Sequence, residues 1–273
     1  MKQRKKIRQL AAVCCLLLLL LVAAGCGKQA KQETLLVAGS STMLPYMAKL
    51  EEGFTKMHPK ILIESEGGGS TAGLIAVKRT AIDLATMSRE VKRDEDDQYT
   101  RDYLVGKDAV AIIVHQANQI TGLKEKQLND IFTGKITNWQ QIGGTDAPIA
   151  IVSRKAGSTT RKAMDEMVMQ GLDFPKSVAI AESAEAVVKT VAANPNAIGY
   201  VALKDLSTGV QALHINNIPV SKETILSGRY PLSRSFYLVI YDKPKTAVQK
   251  FVDYVMSNEG QTILEREGLI RVY

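Results

Sequence analysis

Ile149-Ala150-Ile151-Val152-Ser153-Arg154-Lys155-Ala156-Gly157-Ser158-Thr159-Thr160-Arg161-Lys162-Ala163-Met164-Asp165-Glu166-Met167-Val168-Met169 joins two periodicities. Its first five residues form an apolar run that reads as a buried strand, and apolar residues recur at helical spacing from Lys162 onward. Between them lies a turn with one arginine, one glycine and three consecutive hydroxyls. The first turn of a helix has unpaired N–H groups and the positive end of the macrodipole, so an anion is favoured there. Small hydroxyl side chains add donors, and Arg154 offers a bidentate, charge-assisted contact to an oxyanion. Taken alone, the turn reads equally well as an ordinary Ser/Thr-capped helix start beside a surface arginine.

Two more turns of the same build lie upstream. Gly39-Ser40-Ser41-Thr42 follows a strand pattern, Thr34 to Ala38, and precedes a helix whose apolar positions Met47, Leu50, Phe54 and Met57 are three or four apart. That helix stops at His58-Pro59, because the residue before proline avoids helical dihedrals. Gly67-Gly68-Gly69-Ser70-Thr71 follows a strand at Ile61 to Glu66 and precedes a short helix, Thr71 to Arg79. Further strands are expected at Ile82 to Thr86, Ala109 to Val114, Ala197 to Val201 and Ser235 to Ile240. Further helices are expected at Lys126 to Phe132, Ala184 to Ala193, Lys245 to Met256 and Glu259 to Arg266. Strand and helix alternating at this spacing argue for α/β architecture, with mostly parallel sheets and helices on both faces. In such sheets the carboxyl ends of the strands share one side, where ligands bind.

The chain begins with five basic side chains (Lys2, Arg4, Lys5, Lys6, Arg8) and no acid, then an apolar run from Leu10 to Ala24, then Gly25-Cys26. This is a secretory-signal layout, with an apolar run short for a transmembrane helix. Leu21-Val22-Ala23-Ala24-Gly25-Cys26 resembles the bacterial lipobox, so residues 1–25 are expected to be a lipoprotein signal peptide. Cys26 is expected to carry lipid, and 26–33 to be a polar tether. Without the signal the formal net charge falls from +7 to +2, so the basic balance belongs to the signal and implies no nucleic-acid partner. Cys14 and Cys15 lie inside the signal, which leaves the remaining 248 residues, once Cys26 is lipidated, no thiol for a disulfide, a nucleophile or a metal. The three histidines lie far apart without metal-ligand spacing. Neither metal nor cofactor is expected.

Other phosphate motifs fail. Gly67-x-Gly69-x-x-Ala72 approaches the dinucleotide fingerprint but lacks a ribose-binding acid, and Gly134-Lys135-Ile136 lacks the rest of a P-loop. Asp83, in Ile82-Asp83-Leu84-Ala85, is an acid within an apolar strand and is costly unless paired. It reads as a strand-end surface acid, as a partner of Arg154, or as an acceptor for the proton of a protonated oxyanion. The last role would separate phosphate from sulfate, because a polar group left unmatched is a strong way to reject a near-isostere.

Across about Leu35 to Tyr273 the chain resembles the phosphate-binding lipoproteins of bacterial phosphate ABC transporters, the PstS family. The resemblance rests on Gly39-Ser40-Ser41-Thr42-Met43-Leu44-Pro45, Gly69-Ser70-Thr71-Ala72-Gly73 and Ile82-Asp83-Leu84-Ala85-Thr86-Met87-Ser88-Arg89. It extends through Ile131-Phe132-Thr133-Gly134-Lys135-Ile136-Thr137-Asn138-Trp139, the Arg154 turn, Ala197-Ile198-Gly199-Tyr200 and Tyr230-Pro231-Leu232-Ser233-Arg234. It implies a two-lobed periplasmic-binding-protein fold of type II with a ligand cleft between the lobes. Lobe 1 would be 34–109 with 234–273, and lobe 2 would be 110–233. It implies contacts to inorganic phosphate from Ser41, Thr42, Ser70, Arg154, Ser158, Thr159 and Thr160, with Asp83 as proton acceptor. Thr159 departs from the family pattern, which has glycine there. The implied protein is not an enzyme. It is a lipid-anchored receptor on the outer face of the cell membrane that serves ABC permease subunits. The rival readings are a receptor for another tetrahedral oxyanion or an organic phosphate, and an exported phosphate-ester hydrolase.

Overall fold

The computed structural model describes residues 32–272. The expected signal peptide, the acylated Cys26 and most of the tether lie outside the described residues. The first half of the fold contains β1 (Glu33–Gly39), α1 (Leu44–Met57), β2 (Ile61–Gly67), α2 (Ser70–Lys78), β3 (Leu84–Met87) and β4 (Thr100–His115). Then follow β5 (Gly122–Leu123), α3 (Glu125–Phe132), β6 (Ala150–Arg154), α4 (Thr159–Met164), β7 (Ala179–Ala181), α5 (Ala184–Ala193), β8 (Ala197–Ala202), β9 (Val210–Ala212), β10 (His214–Ile215) and α6 (Lys222–Leu226). The chain ends through β11 (Ser233–Tyr241), α7 (Thr246–Met256) and α8 (Asn258–Glu267).

One sheet runs through the molecule in the order β2-β1-β3-β11-β4-β8-β6-β7, with β9 alongside β4. At one end β1 lies parallel to β2 and β3, and at the other β6 lies parallel to β7 and β8. The antiparallel strands β11 and β4 sit between these parallel ends. β4 is longer than its apolar run suggested. Residues 100–109 pair with β11, then Val110 to Val114 pair with β8. The hand-over falls between Ala109, opposite Ser233, and Val110, opposite Ala202. β4 therefore carries the sheet from one half of the molecule into the other.

Each half packs helices on both faces of its sheet. In the first, Leu35, Val37, Ile61 and Ile63 meet Met47, Leu50 and Phe54 of α1 and Phe251 of α7. On the opposite face Leu74 and Val77 of α2 cover Ala85, Met87 and Val239. In the second half Val187, Val188 and Val191 of α5 cover Ala111, Ile113 and Val152. Met164, Val168 and Phe132 cover the other side with Ile112, Ile198 and Tyr200. Burying apolar side chains on both faces fixes the strand directions, and with them where each strand ends.

Candidate functional site

In the first half the parallel register sets Gly39 beside Gly67 on one side and beside Thr86 on the other, so β1, β2 and β3 end together. Gly39 has φ +145°, and a Cβ there would come within 2.1 Å of the Thr86 carbonyl oxygen, so only glycine fits. The Gly39 carbonyl accepts from the N–H groups of both Gly68 and Gly69, which ties the first two turns together. Ser40 and Thr42 are buried with their hydroxyl oxygens 2.6 Å apart, whereas Ser41 is exposed. Ser70 opens α2, and its Oγ accepts from the Ser88 N–H at 3.1 Å.

The third turn is built differently. The Tyr200 hydroxyl accepts from the Arg154 N–H at 3.2 Å and lies 2.7 Å from Ser153 Oγ. The Arg161 side chain donates to Asp165, to Ser153 Oγ and to the Arg154 carbonyl, and lies 4.0 Å over the Phe174 ring. Gly157 takes the left-handed conformation, φ +88°, and Ser158 caps α4 by accepting from the Arg161 N–H at 3.3 Å. Thr159 is the first helical residue of α4 and has no positive φ, so its replacement of the family glycine imposes no strained backbone. A five-residue π-helical segment, Asp165–Met169, continues α4.

Arg154, Ser158, Thr159 and Thr160 line one wall of a cavity of about 430 Å³. Its other wall is Pro45 and Tyr46 of α1, and Asp108 to Val110 form its floor where β4 crosses between the halves. The Arg154 Nε–H is buried and has no hydrogen-bond partner among the described residues, while one Nη reaches the Glu182 carbonyl at a long 3.4 Å. A buried donor left this way calls for an acceptor. Asp108 does not supply one, because Arg234 holds it through bonds of 3.0 and 2.6 Å. Burial works against the charge of Arg234 and Asp108 outweighs it, so its pKa lies above the usual arginine value. Burial, with Asp108 adding to it, pushes the Tyr46 hydroxyl up, so Tyr46 faces the cavity as a neutral donor.

The four expected residues of the third turn thus come together. Ser41, Thr42 and Ser70 stand at the strand ends of the first half and are not among the residues lining that cavity. Asp83 is elsewhere. It precedes β3 at the strand's start, five residues before Ser88 and so about 16 Å from it at roughly 3.3 Å per residue. Its carboxylate accepts from the Leu36 N–H at 3.0 Å and pairs with Lys245 at 2.7 Å. The expectation that Asp83 accepts a ligand proton therefore meets a different arrangement, in which a lysine and a backbone amide satisfy the acid. Sequence reasoning passed over Ser88, which stands at the end of β3 and bonds Ser70. Its position directly after a parallel strand was the available signal. Among the described residues no group of His, Cys, Asp and Glu is placed to hold a metal ion.

Residues 25–259 match the family described as PBP superfamily domain. The phosphate-binding protein PstS of Bacillus subtilis is 29% identical over 90% of this chain and 83% of its own length. An ABC-type phosphate transport receptor from Vibrio cholerae is similar in structure, with TM-score 0.74 and 27% identity, covering 88% of this chain and 100% of that one. A putative phosphate ABC transporter substrate-binding protein with bound phosphate, from Clostridium perfringens, is 32% identical with TM-score 0.57, over 88% of this chain and 100% of its own.

Proposed function

We infer function from membership: the chain belongs to the PBP superfamily, among its PstS-type phosphate-binding proteins, and it captures inorganic phosphate for an ABC transporter permease. The observation that carries the reading for this chain is the buried, unpartnered Arg154 Nε–H beside the hydroxyls of Ser158, Thr159 and Thr160 at a helix start. Arg154 supplies a charge-assisted contact and α4 supplies N–H groups to the same oxyanion. Ser41, Thr42 and Ser70 belong to the opposite half of the cleft and reach the anion when the halves close. On this reading the receptor works by binding and release, with no bond made or broken, and the relatives' names, phosphate-binding protein and phosphate transport receptor, support the binding part.

Anchoring is part of the same proposal. Acylation of Cys26 would hold the receptor on the extracytoplasmic face of the cell membrane beside its permease, and two or more chains are needed for stable anchoring. A Cys26→Ala chain should accumulate as unprocessed precursor; normal processing would rule the anchor out.

The placement of Asp83 favours one second reading, a receptor of broader oxyanion selectivity, because the carboxylate expected to repel sulfate is bonded to Lys245. Calorimetric titration with phosphate, arsenate, sulfate and glycerol phosphate separates the two. Phosphate and arsenate binding alone supports the phosphate receptor. Equal binding of sulfate supports the second reading, and binding of none sinks both.

A further inference from the structure

Tyr46 stands across the cavity from Arg154, in the first turn of α1 beside Pro45. Pro45 has no N–H to donate, and Tyr46 brings a hydroxyl to the same wall. The ring is held in place. It lies edge-on to Phe236 with 5.5 Å between centroids, and the whole residue is only 3% exposed. Among the described residues the hydroxyl has no hydrogen-bond partner. Asp108 acts on it through space only, and the Asp108 oxygens already accept from Arg234. Two buried donors, the Tyr46 O–H and the Arg154 Nε–H, therefore border one cavity from opposite walls with no acceptor for either. Buried polar groups are rarely left unpaired, so two such donors around one space point to an acceptor that enters it.

We propose that Tyr46 is a further phosphate contact, its hydroxyl donating from the first half of the molecule to the anion that Arg154 holds from the second. A phenol donates only while it keeps its proton. Burial, with Asp108 adding to it, keeps the Tyr46 proton in place well above the ordinary tyrosine range. The acceptor is charged, which makes the bond stronger than one between neutral groups. Because α1 belongs to one half and the Arg154 turn to the other, an anion bonded to both ties the halves together and favours the closed cleft. The hydroxyl donates to an oxyanion oxygen whether or not the ligand carries a proton, so it serves phosphate and arsenate alike. This rests on the phosphate-receptor reading above and adds to it a determinant of affinity on the wall opposite Arg154.

The test is calorimetric titration of the full chain, purified in detergent, with inorganic phosphate and with arsenate, beside urea unfolding without either anion. Tyr46→Phe keeps the ring and its contact with Phe236 and removes only the hydroxyl. It should bind both anions about tenfold more weakly, the usual scale for losing one hydrogen bond to a charged group. Its urea midpoint without anion should equal or exceed the parent's, because the change removes a buried donor that had no partner. Parental affinity for phosphate in Tyr46→Phe would overturn the contact. Weaker binding together with a lower midpoint in the empty protein would overturn it too, since the hydroxyl would then be bonding a group of the protein such as Asp108. A parent chain that binds no phosphate would instead refute the receptor reading, and the contact with it.

Discussion

Arg154 keeps a buried Nε–H without an acceptor among the described residues, and such a donor costs about 1–3 kcal/mol until something accepts from it. The surroundings keep the arginine in this position. Tyr200 fixes its backbone N–H and Arg161 holds its carbonyl, so the side chain stays at the cavity wall. Asp83 illustrates the opposite case, a half-buried acid with its partners supplied by the fold. Asp83→Asn should lower stability by about 0.5–1 kcal/mol, since Lys245 is half exposed and the pair is screened. Urea unfolding measures that loss. Phosphate affinity and the phosphate-to-sulfate ratio should both stay at the parental value. A changed ratio would return Asp83 to the site. The Arg154 turn was legible in the sequence because its chemistry is local, one strand end followed by one helix start. Asp83 was not, because the residue that explains it, Lys245, lies at the far end of the chain.

The three strand-to-helix turns are the elements that organise the molecule, and they were legible from glycine and hydroxyl content at the ends of apolar runs. What escaped was set by pairing. The polar first part of β4 is a strand because β11 lies beside it, and nothing in Thr100 to Asp108 shows that alone. The π-helical Asp165–Met169 escaped because its apolar spacing is the same as that of an α-helix. The end of β3 makes a prediction in pH. The Arg89 guanidinium, with the Lys92 N–H, holds the Glu95 carboxyl at about 2 against an ordinary 4.5. A carboxyl depressed in the folded state adds stability above its unfolded value and loses that contribution as the pH falls through the folded one. Stability should therefore decline between about pH 4.5 and pH 2, and Glu95→Gln should flatten this part of the profile. Urea midpoints at pH 5 and pH 3 for both proteins measure it. Parallel profiles would show that the pair contributes nothing.

At the scale of the whole molecule the two halves of the sheet meet at β4 and at Leu232–Ser233, where the Val110 N–H donates to the Leu232 carbonyl. Among the described residues three side-chain polar contacts span them: Arg234 to Glu166 at 2.8 Å, the Lys204 ammonium to the Arg266 carbonyl at 2.9 Å, and the Lys107 ammonium to the Leu226 carbonyl at 3.0 Å. So narrow a connection suits hinge closure around a ligand that both halves must touch. X-ray scattering should record a smaller radius of gyration with phosphate than without it, and an unchanged radius would contradict closure. On the proposed function, phosphate sits in the cleft on the Arg154 turn. The direct measurement is a phosphate titration of the parent and of Arg154→Ala by calorimetry, with circular dichroism to show that both are folded. The parent should bind, and truncation should weaken binding by about 2–5 kcal/mol, the scale for removing one partner of a buried charge pair. Parental affinity in the folded Arg154→Ala protein would contradict it.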